Sequence, residues 1–330
     1  MIKLSDLGQF NTLPCIDVYK TPRREASYKA VFLKSAIWDA SEVDNKITIT
    51  FGSNGCQGCS SGASWSNIGS ESNTQVPSMN LGFIDPPKAD FTVDGYTFKY
   101  AEFKDATRNY CNATSCVAGW KPGRTVLHEF GHAMGMFHEH QNDVAGDNPF
   151  QFDKQKVVEY YQSIGYTPDE ASQMAQVNVI DRYECTSSNC PYAGSQFDKD
   201  SIMIYPIDKN WLVPGTLDNW VNTPQFEYSS TDKEWLSKMY PKNSSSQPVI
   251  TVEFLDGADW QKYWVKKMVT EGLSPYVGVK FEFPQLVGGS SAPSAPVASP
   301  LKITTHQAAI IGGVIGGIVF LILLLMFIYI

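Results

Sequence analysis

Basic patches are what this chain most plainly lacks. Its 26 lysines and arginines are outnumbered by 34 acidic residues, giving a formal net charge of −8. They nowhere form the cationic stripe that nucleic-acid binding requires, so nucleic acid is excluded as a partner. No internal repeat is present, which removes solenoids and propellers. The opening Met1-Ile2-Lys3-Leu4-Ser5-Asp6 is followed by no apolar core of a secretory leader. The last 23 residues, 308–330, hold no charged side chain at all. Histidine is the scarcest informative residue: five occur in 330 positions, and four of the five fall between 128 and 140.

That cluster reads H-E-F-G-H-A-M-G-M-F-H-E-H, an H-E-x-x-H extended to H-E-x-x-H-x-x-G-x-x-H. On a helix His128 and His132 lie at i and i+4, one above the other, so both imidazoles reach one ion. Glu129 lies beside them, placed to take a proton from a water at the metal. Gly135 ends the helix, because glycine accepts the left-handed conformation. The turn brings His138 back as a third nitrogen ligand. Three protein ligands with one open position are the arrangement of a catalytic rather than a structural zinc. About sixty residues on, the chain reads S-I-M-I-Y-P over 201–206.

The extended zinc motif together with S-I-M-x-Y resembles the metzincin metallopeptidases. Glu139 directly after His138, and Tyr205 two residues after Met203, are most similar to the astacin branch. H-E-H-Q at 138–141, the Tyr160-Tyr161 pair, F-D-K-D-S at 197–201 and S-T-D-K at 230–233 resemble secreted astacin-like or matrixin-like peptidases of microbes. The likeness covers roughly residues 46–241. It departs at Gln141-Asn142-Asp143, where animal astacins carry Arg-x-Asp. The resemblance implies an α+β zincin fold with a mixed twisted sheet, an active-site helix and a Met-turn subdomain. It implies one catalytic Zn2+ on His128, His132 and His138, with Glu129 as base and a protein or peptide substrate. Met203 becomes the hydrophobic base beneath the metal, and Tyr205 the donor to the oxyanion, a role that suits a phenol. Outside that context both would read as ordinary core. Phe51 and the strand edge near 78–83 are the expected rail for an extended substrate.

Domain organisation follows. Residues 1–45 are an N-terminal segment and candidate pro-region, and 46–246 the catalytic domain. Residues 286–307 are a Gly/Ser/Pro/Ala linker, and 308–330 an apolar run long enough to span a membrane. Glycines at 312, 313, 316 and 317 suit close helix packing there. A polar spacer before a terminal apolar tail also describes a glycolipid-anchor signal, in which the tail is removed. The family's opening strand and long helix are missing ahead of K-I-T-I-T-F at 46–51. Residues 247–285 read as strand, Asp256-Gly257 turn, helix with Trp260, Trp264 and Met268 on one face, and strand. This is either the missing unit moved behind the last helix, a circular permutation that completes the sheet, or a small independent module, or the start of a truncated second copy.

Six of the seven cysteines form close pairs: Cys56 and Cys59, Cys111 and Cys116, Cys185 and Cys190. Disulfides in surface loops suit them better than a zinc ribbon, since only the first pair has C-x-x-C spacing. That places the domain on an oxidising side of a membrane, extracellular or on a virion surface. Cys15 is the odd one, either a thiolate that blocks the metal in a latent form, a buried free thiol, or an intermolecular bridge. Two classes of function therefore stand: a zinc endopeptidase at a membrane surface, and a membrane-displayed structural or adhesion protein that retains a peptidase fold.

Overall fold

The computed structural model describes residues 37–52, 64–82, 84, 87, 89–103, 123–142, 148–163, 165–182, 196–205, 207–216 and 225–286. All of them fall in one unit, Met1–Gly288. Cys15, the three cysteine pairs, linker residues 287–307 and the apolar run 308–330 lie outside the described residues, while Leu286, the expected first linker residue, is buried in the core. Among the described residues no helix is long and apolar enough to cross a membrane.

The strands are β1 (Lys46–Thr50), β2 (Ser64–Ser66), β3 (Met79–Leu81), β4 (Phe91–Val93), β5 (Tyr96–Phe98), β6 (Val249–Phe254) and β7 (Lys280–Glu282). The longer helices are α1 (Arg124–Ala133), α2 (Lys154–Ser163), α3 (Pro168–Ala175), α4 (Ser230–Met239) and α5 (Asp259–Met268). The result is a mixed α/β fold. Five strands form one sheet in the order β2-β3-β1-β6-β7, parallel except for β2, which runs antiparallel along the edge.

Strand β1 alternates in sequence as a half-exposed strand would, yet Ile47, Thr48, Ile49 and Thr50 are all buried. It sits mid-sheet with both faces covered, as parallel strands do. Its two threonines are tolerated because each finds a partner. Thr48 Oγ1 accepts from the Ser78 amide at 2.9 Å, and Thr50 Oγ1 donates to Asp256 at 2.5 Å. Asp256 also accepts from the Phe51 amide at 2.6 Å, which ties the end of β1 to the turn after β6.

Residues 249–283 are therefore structural members of the main sheet. Strand β6 pairs with β1 over Lys46–Ile49 and Thr251–Phe254, and β7 pairs with β6. Helix α5 packs its Trp264 and Val265 into the core under α1. A two-residue hairpin, β4–β5, covers α5 with Phe91 and Phe98. It turns at Asp94 (φ 52°) and Gly95 (φ 81°), the left-handed pair a tight hairpin needs. Trp38, ahead of the expected domain start at 46, is also buried in this core, and its Nε1 donates to the Ala133 carbonyl at 2.7 Å.

The second layer is smaller. Helix α3 opens at Pro168 behind the N-cap Thr167, and Glu170 accepts from the Thr167 amide at 2.9 Å. It packs on α2 through Val157, Tyr161, Ala171 and Met174. Helix α4 starts at Ser230 because Ser229 caps it and accepts from the Asp232 amide at 2.9 Å.

One surface element offers a pH-dependent handle. The 3-10 helix Gly69–Thr74 lies against β1 and α1, and burial raises the Glu71 carboxyl from 4.5 to about 7. The folded state thus holds its proton more tightly than the unfolded chain. The stability this confers is fully present below about pH 4.5 and is lost as pH rises through about 7. Glu71→Gln removes the penalty for the charged form. The variant is expected to melt roughly 2 °C above wild type at pH 8, the gap closing below pH 5, as read by thermal unfolding across pH.

Candidate metal centre

Helix α1 carries the first two histidines and is buried along nearly its whole length. Its end is a Schellman turn: the Gly135 amide donates to His132 O at 2.8 Å and the Met136 amide to Gly131 O at 2.9 Å. Gly135 sits at φ 93°, where a side chain would be strained. This turn aims the chain back so that His138, in extended backbone, faces His128 and His132. One ligand atom from each of the three lies within 4.8 Å of the others, and all three residues are buried.

Each ring is held by its second nitrogen. His128 Nδ1 meets the Ile202 carbonyl at 2.9 Å, His132 Nδ1 the Met136 carbonyl at 2.8 Å, and His138 Nδ1 the Gln141 Oε1 at 3.3 Å. Those oxygens only accept, so each Nδ1 carries the proton and each Nε2 presents a lone pair. Burial keeps the rings neutral: His128 and His138 fall well below the usual imidazole value and His132 drops to about 4. His132 Nε2 and His138 Nε2 are 3.1 Å apart. Two lone pairs at that distance repel unless a cation lies between them. Tetrahedral ligands at about 2.0–2.1 Å from zinc stand about 3.3 Å from one another, so the donor set fits the ion. Three neutral imidazoles also suit zinc in chemical type.

The floor comes from the 201–205 segment. Asp232, at the start of α4, accepts from Ser201 Oγ at 2.8 Å and from the Ile202 amide at 3.0 Å. Ser201 Oγ in turn accepts from the Met203 amide at 3.0 Å. Arg124 Nη2 donates to the Ile204 carbonyl at 2.7 Å, and the Glu139 amide to the Met203 carbonyl at 3.1 Å. Met203 is thereby pressed beneath α1, where a Cβ on Gly131 would lie 2.6 Å from its sulfur. Gly131→Ala would raise helix propensity by itself, so its expected loss of about 1–3 kcal/mol isolates the overpacking against Met203. Thermal unfolding reads that loss, and adding Met203→Ala is expected to return most of it.

Tyr205 lies beside the cluster, its ring 4.1 Å from that of His138 and 6.2 Å from that of His128. Glu129 is buried on α1 between the two helical histidines in sequence. Glu139, mostly buried, is raised to about 8 by desolvation. Its Oε1 accepts from the Asp198 amide at 2.7 Å and from Asn142 Nδ2 at 2.9 Å, which joins the His138 loop to the segment before the methionine.

The expected substrate rail needs correction. Residues 79–81 form β3, which is covered on both sides by β1 and β2, so its backbone is already paired. The edge of the sheet on that side is β2, Ser64–Ser66. A break in hydrophobic alternation cannot tell an edge strand from its neighbour, and the exchange of roles follows from β2 folding back antiparallel.

No protein-family model and no curated protein matches the chain. Among solved structures, the chain is similar to myroilysin. The two share 22% identity at a TM-score of 0.37, over 66% of this chain and 86% of that one. A likeness at that level carries no weight for the site, which stands on its own geometry.

Two buried residues beside the cluster were not marked as functional by the motif. His140 is fully buried with its ring stacked on Tyr205, and Gln141 contacts His138. The only signal for them in the sequence is the density of polar residues in H-E-H-Q directly after the third ligand.

Proposed function

We propose that this chain is a zinc-dependent endopeptidase. The observation that carries the reading is the convergence of three buried, neutral imidazoles that each bring one ligand nitrogen within 4.8 Å of the others while oxygen acceptors hold each Nδ1. His128, His132 and His138 would hold the ion. When bound, zinc supplies Lewis acidity that polarises a scissile carbonyl and lowers the pKa of water toward neutrality.

The rest belongs to the chain's own side chains. Glu129 takes the proton of the attacking water and hands it to the leaving amine. Tyr205 donates from its phenol to the oxygen on which negative charge develops. Met203 fills the space below the rings and keeps it dry. The outer edge of β2 offers backbone groups for an extended peptide, by strand addition.

We also propose that β6, α5 and β7 are the family's opening unit in permuted order. Their pairing on the far side of β1 from β3 supports that. The apolar run 308–330 would hold the domain at a membrane, on the oxidising side that the cysteine pairs suggest. The test is casein cleavage by the zinc-loaded protein, with metal content measured on the same sample. Cleavage lost to a chelator and restored by zinc is expected. Zinc at one equivalent with no cleavage of casein or of a peptide library would leave a displayed, non-catalytic fold instead.

A further inference from the structure

His140 and Gln141 both reach from the metal cluster to one short element. The five residues Gln176–Ile180 prolong α3 as a π-helical turn. Such a turn breaks the regular i→i−4 ladder and frees carbonyls for other donors. Gln141 Nε2 donates to the Val177 carbonyl at 2.7 Å and the Asp181 carbonyl at 3.0 Å. Both partners accept only, so the amide nitrogen is fixed on that side and Oε1 must face His138 Nδ1.

His140 repeats the logic. Its Nε2 donates to the Asn178 carbonyl at 2.9 Å, which leaves Nδ1 unprotonated to accept from the Tyr205 amide at 3.4 Å. Its ring lies on that of Tyr205 with centroids 4.8 Å apart and planes at 26°, and on its other side meets His138 at 5.1 Å.

We propose that His140 and Gln141 are positioning residues through which the carbonyls of 177, 178 and 181 set Tyr205 and His138 respectively. The catalytic meaning of this rests on the peptidase reading above; the geometry of ligand and tyrosine does not. An uncharged amide serves at 141 because it bridges two acceptors and a donor at once. A carboxylate there would face two carbonyls. Phenylalanine at 140 would keep the stacking and lose both hydrogen bonds.

The experiment uses the full chain. Gln141→Leu is expected to weaken zinc binding about 10–100-fold in chelator competition, with Gln141→Met as the second variant if the first fails to fold. A folded variant that binds zinc within about twofold of wild type overturns this arm. His140→Phe should leave zinc affinity unchanged, speed hydrogen exchange at the Tyr205 amide about tenfold or more, and lower kcat about 10–100-fold with KM held. His140→Gln replaces it if the first does not fold. In a Tyr205→Phe background the same change should cost little further, since both act through one phenol. Unchanged exchange at Tyr205, or an equal fall in kcat without the phenol, overturns the second arm. If the wild type cleaves nothing, the peptidase reading fails, while zinc affinity and amide exchange still decide this one.

Discussion

Glu129→Gln is expected to lower kcat/KM on casein by about 10²–10⁴-fold, the usual worth of a positioned general base, while zinc content stays at wild-type level. The amide keeps the size and most of the hydrogen-bonding capacity of the carboxylate. It loses only the ability to accept a proton at neutral pH. Zinc should stay, because the converging atoms are imidazole nitrogens from His128, His132 and His138 and no carboxylate is among them. A fall of about 10³ corresponds to about 4 kcal/mol of transition-state stabilisation.

Folding supplies the internal control. Glu129 is buried on α1, and glutamine fills the same space and keeps an acceptor oxygen there. Stripped of zinc, the glutamine variant should therefore melt close to the wild-type temperature. Loss of activity with undiminished thermal stability and full zinc identifies a chemical role. Equal cleavage by both proteins would remove Glu129 from the mechanism, and a variant that no longer binds zinc would make it a ligand.

The metal centre was legible because its geometry is local. Histidines at 128 and 132 share a helix face by the 3.6-residue period, and Gly135 turns the chain, so His138 follows within one further loop. Met203 and Tyr205 needed a resemblance, since nothing in S-I-M-I-Y alone says that Asp232 will grip it or that Gly131 leaves room for a sulfur. His140 was harder still. Its partner is a carbonyl 38 residues away in a π-helical turn, and a turn of that kind leaves no periodic mark. Among strands, β1 and β6 followed from alternation. The roles of β2 and β3 did not, because three-residue strands carry too little pattern to fix which lies at an edge.

The largest structural effect is expected from removing the last part of the sheet. A chain that stops at residue 246 should fail to fold cooperatively, with no melting transition and no stoichiometric zinc. Strand β6 pairs along β1 and carries β7 on its other side, so its loss strips one whole edge of hydrogen bonds from the central strand. The damage reaches the metal helix directly. Leu127, next to His128, packs against the turn at Gly272, and Phe130 meets Phe281 at 6.1 Å. Among the described residues, twelve of the 32 buried in the main core lie between 250 and 286. Exposing the apolar faces they cover on β1 and α1, at about 1.5–3 kcal/mol per large side chain, outweighs a net stability of about 5–15 kcal/mol. A separate module would behave otherwise, because its removal would leave β1 and α1 as they are. Expressing residues 247–286 beside the shortened chain separates a missing sheet edge from general damage: recovery of zinc binding and of a melting transition is expected. A shortened chain that alone melts cooperatively and holds one zinc would make 249–283 an appendage and remove the permutation with it.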